Sequence, residues 1–232
     1  MKISIKRENK FVEYEIQSQN STLLEVLTAI KTKMDSTLAF NSGCRSGVCG
    51  SCSMIVNEKE ILACSYKVQD EDLIEPLKNV KVIRDLVVDM NKAYEFNAKA
   101  KAWLKPIIHT TRLNHEDEKI NEIQSDCILC GACYSACPVY AVNDEFLGPF
   151  SLTRVWKYVS DKRENNEKNK IDTIQNNGVW DCTLCNECTL VCPQDISSKA
   201  DIEKLRFKST QHGYNNPNFF TPTQGMDGSP VF

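Results

Sequence analysis

Twelve cysteines in 232 residues fall into three groups of four: Cys44, Cys49, Cys52 and Cys64; Cys127, Cys130, Cys133 and Cys137; Cys182, Cys185, Cys188 and Cys192. None is left over. The two later groups share one spacing, C-x2-C-x2-C-x3-C-P, in "CILCGACYSACP" and "CTLCNECTLVCP". The first reads C-x4-C-x2-C-x11-C and opens with "CRSGVCGSC". A reducing compartment disfavours disulfides, so thiols in fours there point to metal. His109, His115 and His212 lie outside every group, so imidazole ligation of a Rieske kind is not expected.

The first spacing suits a [2Fe–2S] cluster of the plant type, whose two irons need four thiolates, three of them here from one loop. Such a loop curls round the cluster with its backbone close by. Gly43, Gly47 and Gly50 supply the conformations and clearance that a Cβ would block. Arg45 adds positive charge nearby, or is an ordinary exposed loop residue. A single zinc ion is the plainer alternative, but zinc sites usually pair C-x2-C with another C-x2-C or with histidines.

The later runs follow the bacterial two-cluster pattern, in which three cysteines hold one cubane and the fourth holds the other. Three residues spaced by two can curl onto three corners, while the fourth points away from them. Cys127, Cys130, Cys133 and Cys192 are therefore expected to share one cluster, and Cys182, Cys185, Cys188 and Cys137 the other. Three clusters make an electron wire. No phosphate-binding glycine motif and no nucleophile–base constellation accompanies them, so substrate chemistry is expected on partner proteins.

The elements around these loops read as α+β. "KISIKRE" and "FVEYEI" alternate like a hairpin. Thr22 and Glu25 form a capping box ahead of Leu23, Leu27, Ile30 and Met34, one face of a helix. "SMIVN" and "VKVIRDL" read as further strands, which together suggest a β-grasp unit over 1–100. "DLVVDMNKAYEFNAKAKAWL" is helical by composition, with Leu86, Met90 and Tyr94 four apart, and Pro106 ends it. A second, α-helical unit over 101–232 carries the two later groups. In it "NHEDEKINEIQSD" reads as a polar surface connection, Leu152, Val155, Trp156 and Val159 as one helical stripe, and "DKRENNEKNK" as a solvated helix end or loop. "SSKADIEKLRFKS" is again helical, and the final stretch, with Phe219 and Phe220, is irregular.

With 41% hydrophobic and 25% charged residues the chain is an ordinary globular one, and a net charge of −3 gives no reason to expect nucleic acid. No apolar run is long enough to span a bilayer. The N-terminus has neither signal-peptide nor transit-peptide character, which makes the cytoplasm the default compartment.

In the order and spacing of "SGCRSGVCGSCSM", "VIRDLVVDM", "CILCGACYSACP", "FLGP" and "GVWDCTLCNECTLVCP", the chain resembles the iron–sulfur subunit of succinate dehydrogenase and fumarate reductase, nearly throughout as far as Lys208. The resemblance implies an N-terminal β-grasp [2Fe–2S] ferredoxin domain and a helical dicluster domain. It implies a flavoprotein partner with covalent or bound FAD that interconverts succinate and fumarate, and a membrane-associated partner on the quinone side. The chain itself would lie peripherally at the cytoplasmic face of the membrane. Many members lack a cysteine at the place of Cys185 and hold a [3Fe–4S] cluster; Cys185 here allows a full [4Fe–4S]. Members also carry a tryptophan and a histidine for quinone where this chain has Val142 and Thr183. These departures suit the complexes whose anchor is a cysteine-rich subunit resembling heterodisulfide reductase. A periplasm-facing methylmenaquinol:fumarate reductase, exported with a twin-arginine flavoprotein, and a free-standing multi-cluster ferredoxin are the alternatives.

Overall fold

The computed structural model describes residues 1–17, 20–105 and 112–217. Pro106, His109, Phe219 and Phe220 lie outside the described residues. Strands β1 (Lys2–Arg7) and β2 (Lys10–Glu15) form the expected antiparallel hairpin, with Ile3 opposite Tyr14 and Ile5 opposite Val12. Helix α1 (Leu23–Lys33) starts at a true capping box: Glu25 N–H donates to Thr22 Oγ1 at 3.3 Å and Thr22 N–H to Glu25 Oε2 at 2.7 Å. Leu23, Leu27 and Ile30 are fully buried, but Met34 caps the helix and is exposed. Strands β3 (Ser53–Val56), β4 (Lys59–Leu62) and β5 (Asp72–Glu75) complete a sheet of order β2-β1-β5-β3-β4, in which only β1 and β5 run parallel. One helix on a mixed sheet of this order is the β-grasp arrangement the sequence suggests.

Beyond it the expected helix from Asp85 begins late. Val87–Asp89 instead forms β7, paired antiparallel with β6 (Lys81–Arg84). Val87 and Val88 prefer the pleated backbone, and Asp85 at φ 48° makes the turn. The Asp85 carboxylate is buried because it accepts from Ala39 N–H at 2.8 Å and from Arg7 Nε at 3.1 Å. Only Asn91–Lys99 is helical, as α2, with Ala93 and Phe96 buried and Tyr94 exposed.

The polar connection before the second cysteine group is also ordered, as α3 (His115–Lys119) and α4 (Glu122–Ser125), and Gln124 is buried. Around the cysteines lie the single-turn helices α5 (Ala132–Ser135) and α6 (Pro138–Val142), and later α9 (Glu187–Leu190). The frame that holds them is α7 (Pro149–Val159), α8 (Glu167–Thr173) and α10 (Ser198–Gln211). Leu152, Val155 and Val159 of α7 are buried as the stripe requires, each contributing roughly 1.5–3 kcal/mol, while Trp156 lies at its half-buried edge. Among the described residues two apolar cores result, one beneath the sheet and one among α2, α7 and α10, and Ile128 and Cys130 of the first run reach back against the sheet's core.

The charged run over 161–170 is exposed at Lys162, Arg163, Asn165, Asn166 and Lys168, as its composition suggests, but its two ends turn inward. Lys170 and Glu164 form an ion pair with side chains 3% and 1% exposed, and Asn166 caps α8. Lys170 lies on the buried face of α8 beside Ile171, so its ammonium can be accommodated there only with a counter-charge.

Candidate metal centres

The loop from Cys44 to Cys52 turns on Arg45 (φ 62°), Gly47 (φ 78°) and Gly50 (φ 70°). Its amides point at sulfur: Cys44 N–H donates to Cys49 Sγ at 3.3 Å, and Ser46 and Val48 N–H to Cys44 Sγ at 3.4 Å. These donors hold the Cys44 thiol down at about 6, foremost the Ser46 amide. Cys52 lies inward, and burial pushes it up to about 11. Gly43 leaves no room for a side chain, because a Cβ there would stand 2.9 Å from Cys49 Sγ. Arg45 is exposed.

The two runs repeat each other in backbone as well as in spacing. Leu129 (φ 53°) and Leu184 (φ 57°) both take left-handed conformations before a cysteine, and Gly131 (φ 81°) and Asn186 (φ 75°) do so after it. Each then enters a single helical turn, α5 or α9. Amides again face sulfur: Leu184 N–H donates to Cys182 Sγ and Tyr140 N–H to Cys137 Sγ, both at 3.4 Å. The repeat is broken at its surface. Ser135 is buried and its counterpart Leu190 is 72% exposed.

Cys127, Cys130, Cys133 and Cys192 line one cavity, closed by Phe150, Thr153 and Ile196. Burial pushes the Cys130 thiol up to about 11, and the Cys192 and Cys127 thiolates push the same way. Cys133, buried but for 9% of its surface, is driven well above the ordinary thiol range by burial and then by Cys130 and Cys127. Around the other set, burial takes Cys188 up to about 12, with Cys182, Cys137 and Cys185 adding to it. Cys133 also feels Cys188, which marks the side on which the two sets approach. Among the described residues no three Cys, His, Asp or Glu side chains converge on one point as for a single ion. Cys127, Cys130, Cys133 and Cys192 line a shared space instead, the arrangement that the width of an iron–sulfur core calls for. All-thiolate donors, amides at sulfur and glycine clearance fit the three clusters.

Four side chains that spacing alone does not reveal hold these loops in place. Asn79 Nδ2 donates to the carbonyls of Ser135 at 2.8 Å and Tyr134 at 3.2 Å, and Ser135 Oγ donates to Glu60 Oε1 at 2.8 Å. Gln194 Nε2 donates to the Gly47 carbonyl at 3.2 Å, joining the third group's end to the first loop. Arg206 of α10 donates to the carbonyls of Val179 at 2.7 Å and Cys182 at 2.5 Å. Gly50 meets the first run directly: a Cβ there would lie 2.7 Å from the Ile128 carbonyl oxygen and 2.8 Å from Cys130 Cα. Cys185 and Thr183 are exposed, and Val142, at the end of α6, is 87% exposed.

Two family models match the chain: a 2Fe-2S iron-sulfur cluster binding domain over residues 2–95 and a 4Fe-4S dicluster domain over 123–196. The chain is 36% identical over 209 residues to the 8-methylmenaquinol:fumarate reductase iron-sulfur subunit of Wolinella succinogenes, covering 84% of this chain and 66% of that one. It is 33% identical over 229 residues to the fumarate reductase iron-sulfur subunit of Haemophilus influenzae, covering 89% of each. The fold is that of a chain in the Sdh1 complex of Mycobacterium smegmatis, with a TM-score of 0.82 at 22% identity over 94% of this chain and 98% of that one. No helix of the described residues is long and apolar enough to cross a membrane. By its paired cluster domains and by its identity to these relatives over most of their length, the chain belongs to the family of iron–sulfur subunits of fumarate reductase and succinate dehydrogenase, the electron-transfer subunits of those oxidoreductase complexes.

Proposed function

We propose that this chain relays electrons between the FAD of a flavoprotein partner and a membrane-associated subunit on the quinone side, through three iron–sulfur clusters. Cys44, Cys49, Cys52 and Cys64 would hold the [2Fe–2S] cluster, with Gly43, Gly47 and Gly50 shaping its loop. Cys127, Cys130, Cys133 and Cys192 would hold a [4Fe–4S] cluster. Cys137, Cys182, Cys185 and Cys188 would hold the third cluster, a four-iron one by ligand count. When bound, the clusters supply one-electron carriage. The chain's own part is to fix the thiolates, aim amides at their sulfurs and bury the Cys52, Cys133, Cys137 and Cys188 side chains. The same reading divides the chain into units over 1–100 and 101–232; α2 lies before the division and packs with the second core.

The observation that carries this reading is Cys192 in one cavity with the first run, across a gap of more than fifty residues. A wire needs its cubanes close, and exchange of the fourth ligand ties them together. Cysteine-to-serine variants of the native complex test it. Cys192→Ser should remove the cluster of the first run, and Cys137→Ser that of the second, as read from EPR signals and iron content. Loss of the same cluster in both variants would overturn the assignment.

For the partner we favour the cysteine-rich anchor type, because Cys185 completes a four-thiolate set and Val142 and Thr183 replace the quinone-side tryptophan and histidine. Purification of the complex with a haem-bearing anchor would contradict this. The 36% identity to a methylmenaquinol:fumarate reductase subunit supports, as a second reading, a place on the periplasmic side. A twin-arginine signal on the partner flavoprotein would decide for it.

A further inference from the structure

Asp201 sits in the first turn of α10 with 1% of its surface exposed. Its Oδ1 accepts from Gln124 Nε2 of α4 at 2.9 Å and faces Lys204 Nζ of its own helix at 3.6 Å. Its Oδ2 lies beside the Thr153 hydroxyl of α7, which can donate to it. Gln124 Oε1, buried on the same amide that donates to Oδ1, has no partner. A buried amide oxygen without a donor is costly, and it can only accept. A proton on Asp201 would supply that donor, since a carboxyl O–H can donate where a carboxylate cannot. Burial acts in the same sense and raises the group to about 6, against the Lys204 ammonium, the hydrogen bonds from Gln124 and Thr153, and the positive end of α10.

This spot borders the first cubane's cavity. Thr153 lines that cavity, and so does Ser198, one turn before Asp201. The cubane's cysteine ligands do not touch the carboxylate, so Asp201 would sense the cluster through space. The other charged groups near it are placed as follows. Arg154 and Lys157 of α7 act on Cys127, α4 carries the exposed Glu122, and α9 carries the exposed Glu187. Glu167 of α8 meets α10 two turns further on, paired with Lys208 and His212.

We propose that Asp201 is a proton-binding site coupled to the [4Fe–4S] cluster of Cys127, Cys130, Cys133 and Cys192, taking up a proton from solvent when that cluster gains an electron. The electron comes from the flavoprotein partner or a chemical reductant. An O–H bond forms at Oδ2, no bond at the cluster breaks, and the added negative charge is matched by the proton. Reoxidation releases both. The half-exposed Lys204 marks the side from which solvent protons reach the carboxylate.

The inference rests on the ligand assignment proposed above, and the test separates the two. Cys192→Ser first identifies the EPR signal of this cluster; if it removes none, the assignment fails and the cluster coupling falls with it. Midpoint potentials of that signal are then measured in the native complex from about pH 5 to 8. In the wild type the potential should fall as pH rises. A tenfold difference in proton affinity between the two redox states spans about 59 mV between the limits. Asp201→Asn should give a potential independent of pH, close to the wild type's acid limit. Lys204→Gln removes the opposing cation and should move the sloping region to higher pH. A flat wild-type profile, a slope that survives in Asp201→Asn, or a slope that Lys204→Gln leaves in place would each overturn the proposal.

Discussion

Gly50 is the point at which the [2Fe–2S] loop touches the first cubane run, and it gives a prediction with its own control. Alanine at Gly50 meets two penalties. The first is a left-handed backbone, φ +70°, that costs an L residue about 1–2 kcal/mol. The second is a Cβ placed 2.7–2.8 Å from the Ile128 carbonyl and Cys130 Cα, main-chain atoms that cannot rotate aside. Overpacking of that kind costs about 1–3 kcal/mol, so the sum is about 2–5 kcal/mol. Gly213 isolates the first penalty. It follows α10 at φ +85° with nothing within 4 Å of an added Cβ, and Tyr214 N–H donates to Ser209 O at 3.0 Å as the helix-ending turn requires. For a chain of this size 1 kcal/mol shifts the midpoint by about 2–4 °C, so Gly213→Ala should lower it by about 2–8 °C and Gly50→Ala by about 4–20 °C, the larger loss at Gly50 at any one conversion. Thermal loss of cluster absorbance, both variants scanned at one rate, is the assay. EPR should also show a weaker magnetic interaction between the [2Fe–2S] cluster and its neighbour in Gly50→Ala alone. Equal thermal shifts in the two variants, with that interaction unchanged, would refute the close contact.

Two further outcomes follow from buried charge. Lys170→Met strands the Glu164 carboxylate, 1% exposed, and should cost about 3–5 kcal/mol in urea unfolding, with much of it restored by adding Glu164→Leu; a single-variant cost below about 1 kcal/mol would contradict the burial. Asp201 binds its proton more tightly folded, at about 6, than at its ordinary 3.8. Its ionised form therefore costs stability above pH 6 and nothing below about pH 4. Asp201→Asn should raise unfolding stability by up to about 3 kcal/mol at pH 7–8 and little at pH 4, whereas an equal gain at both would show that charge is not the cause.

The iron–sulfur character of both domains was legible in the cysteine spacing, because a cluster ligand must be a thiolate and its spacing is set by the core it wraps. The α1 capping box was legible for the same local reason, since all its partners lie within four residues. What escaped has no local signature. Asn79, Gln194 and Arg206 act on carbonyls far along the chain, and an amide or guanidinium in a polar stretch looks like any surface group. Lys170 and Glu164 share a run whose charge suggests water, because pairing and burial are invisible to composition. The helix expected from Asp85 began late because two valines and a left-handed turn outweighed a four-residue apolar recurrence. Leu129 and Leu184 are poor residues for positive φ. Only their matching place before the second cysteine of each run could have marked them.

The broken repeat has an energetic consequence. Gly131 lies under Met90 and Leu77, where a Cβ would come within 2.7 Å of the methionine, whereas its counterpart Asn186 carries a side chain and is half-buried. Where Ser135 turns inward to Glu60, Leu190 turns outward. One half of the duplication is thus packed against the chain's own sheet unit, while the other opens to water at one corner, with Cys185 at the surface. Water answers a new negative charge and a sealed interior answers it far less. Solvation alone therefore tilts the two halves: an added electron settles more readily on the open one, and a protein docking over Leu190 and Cys185 would level that slope by drying it.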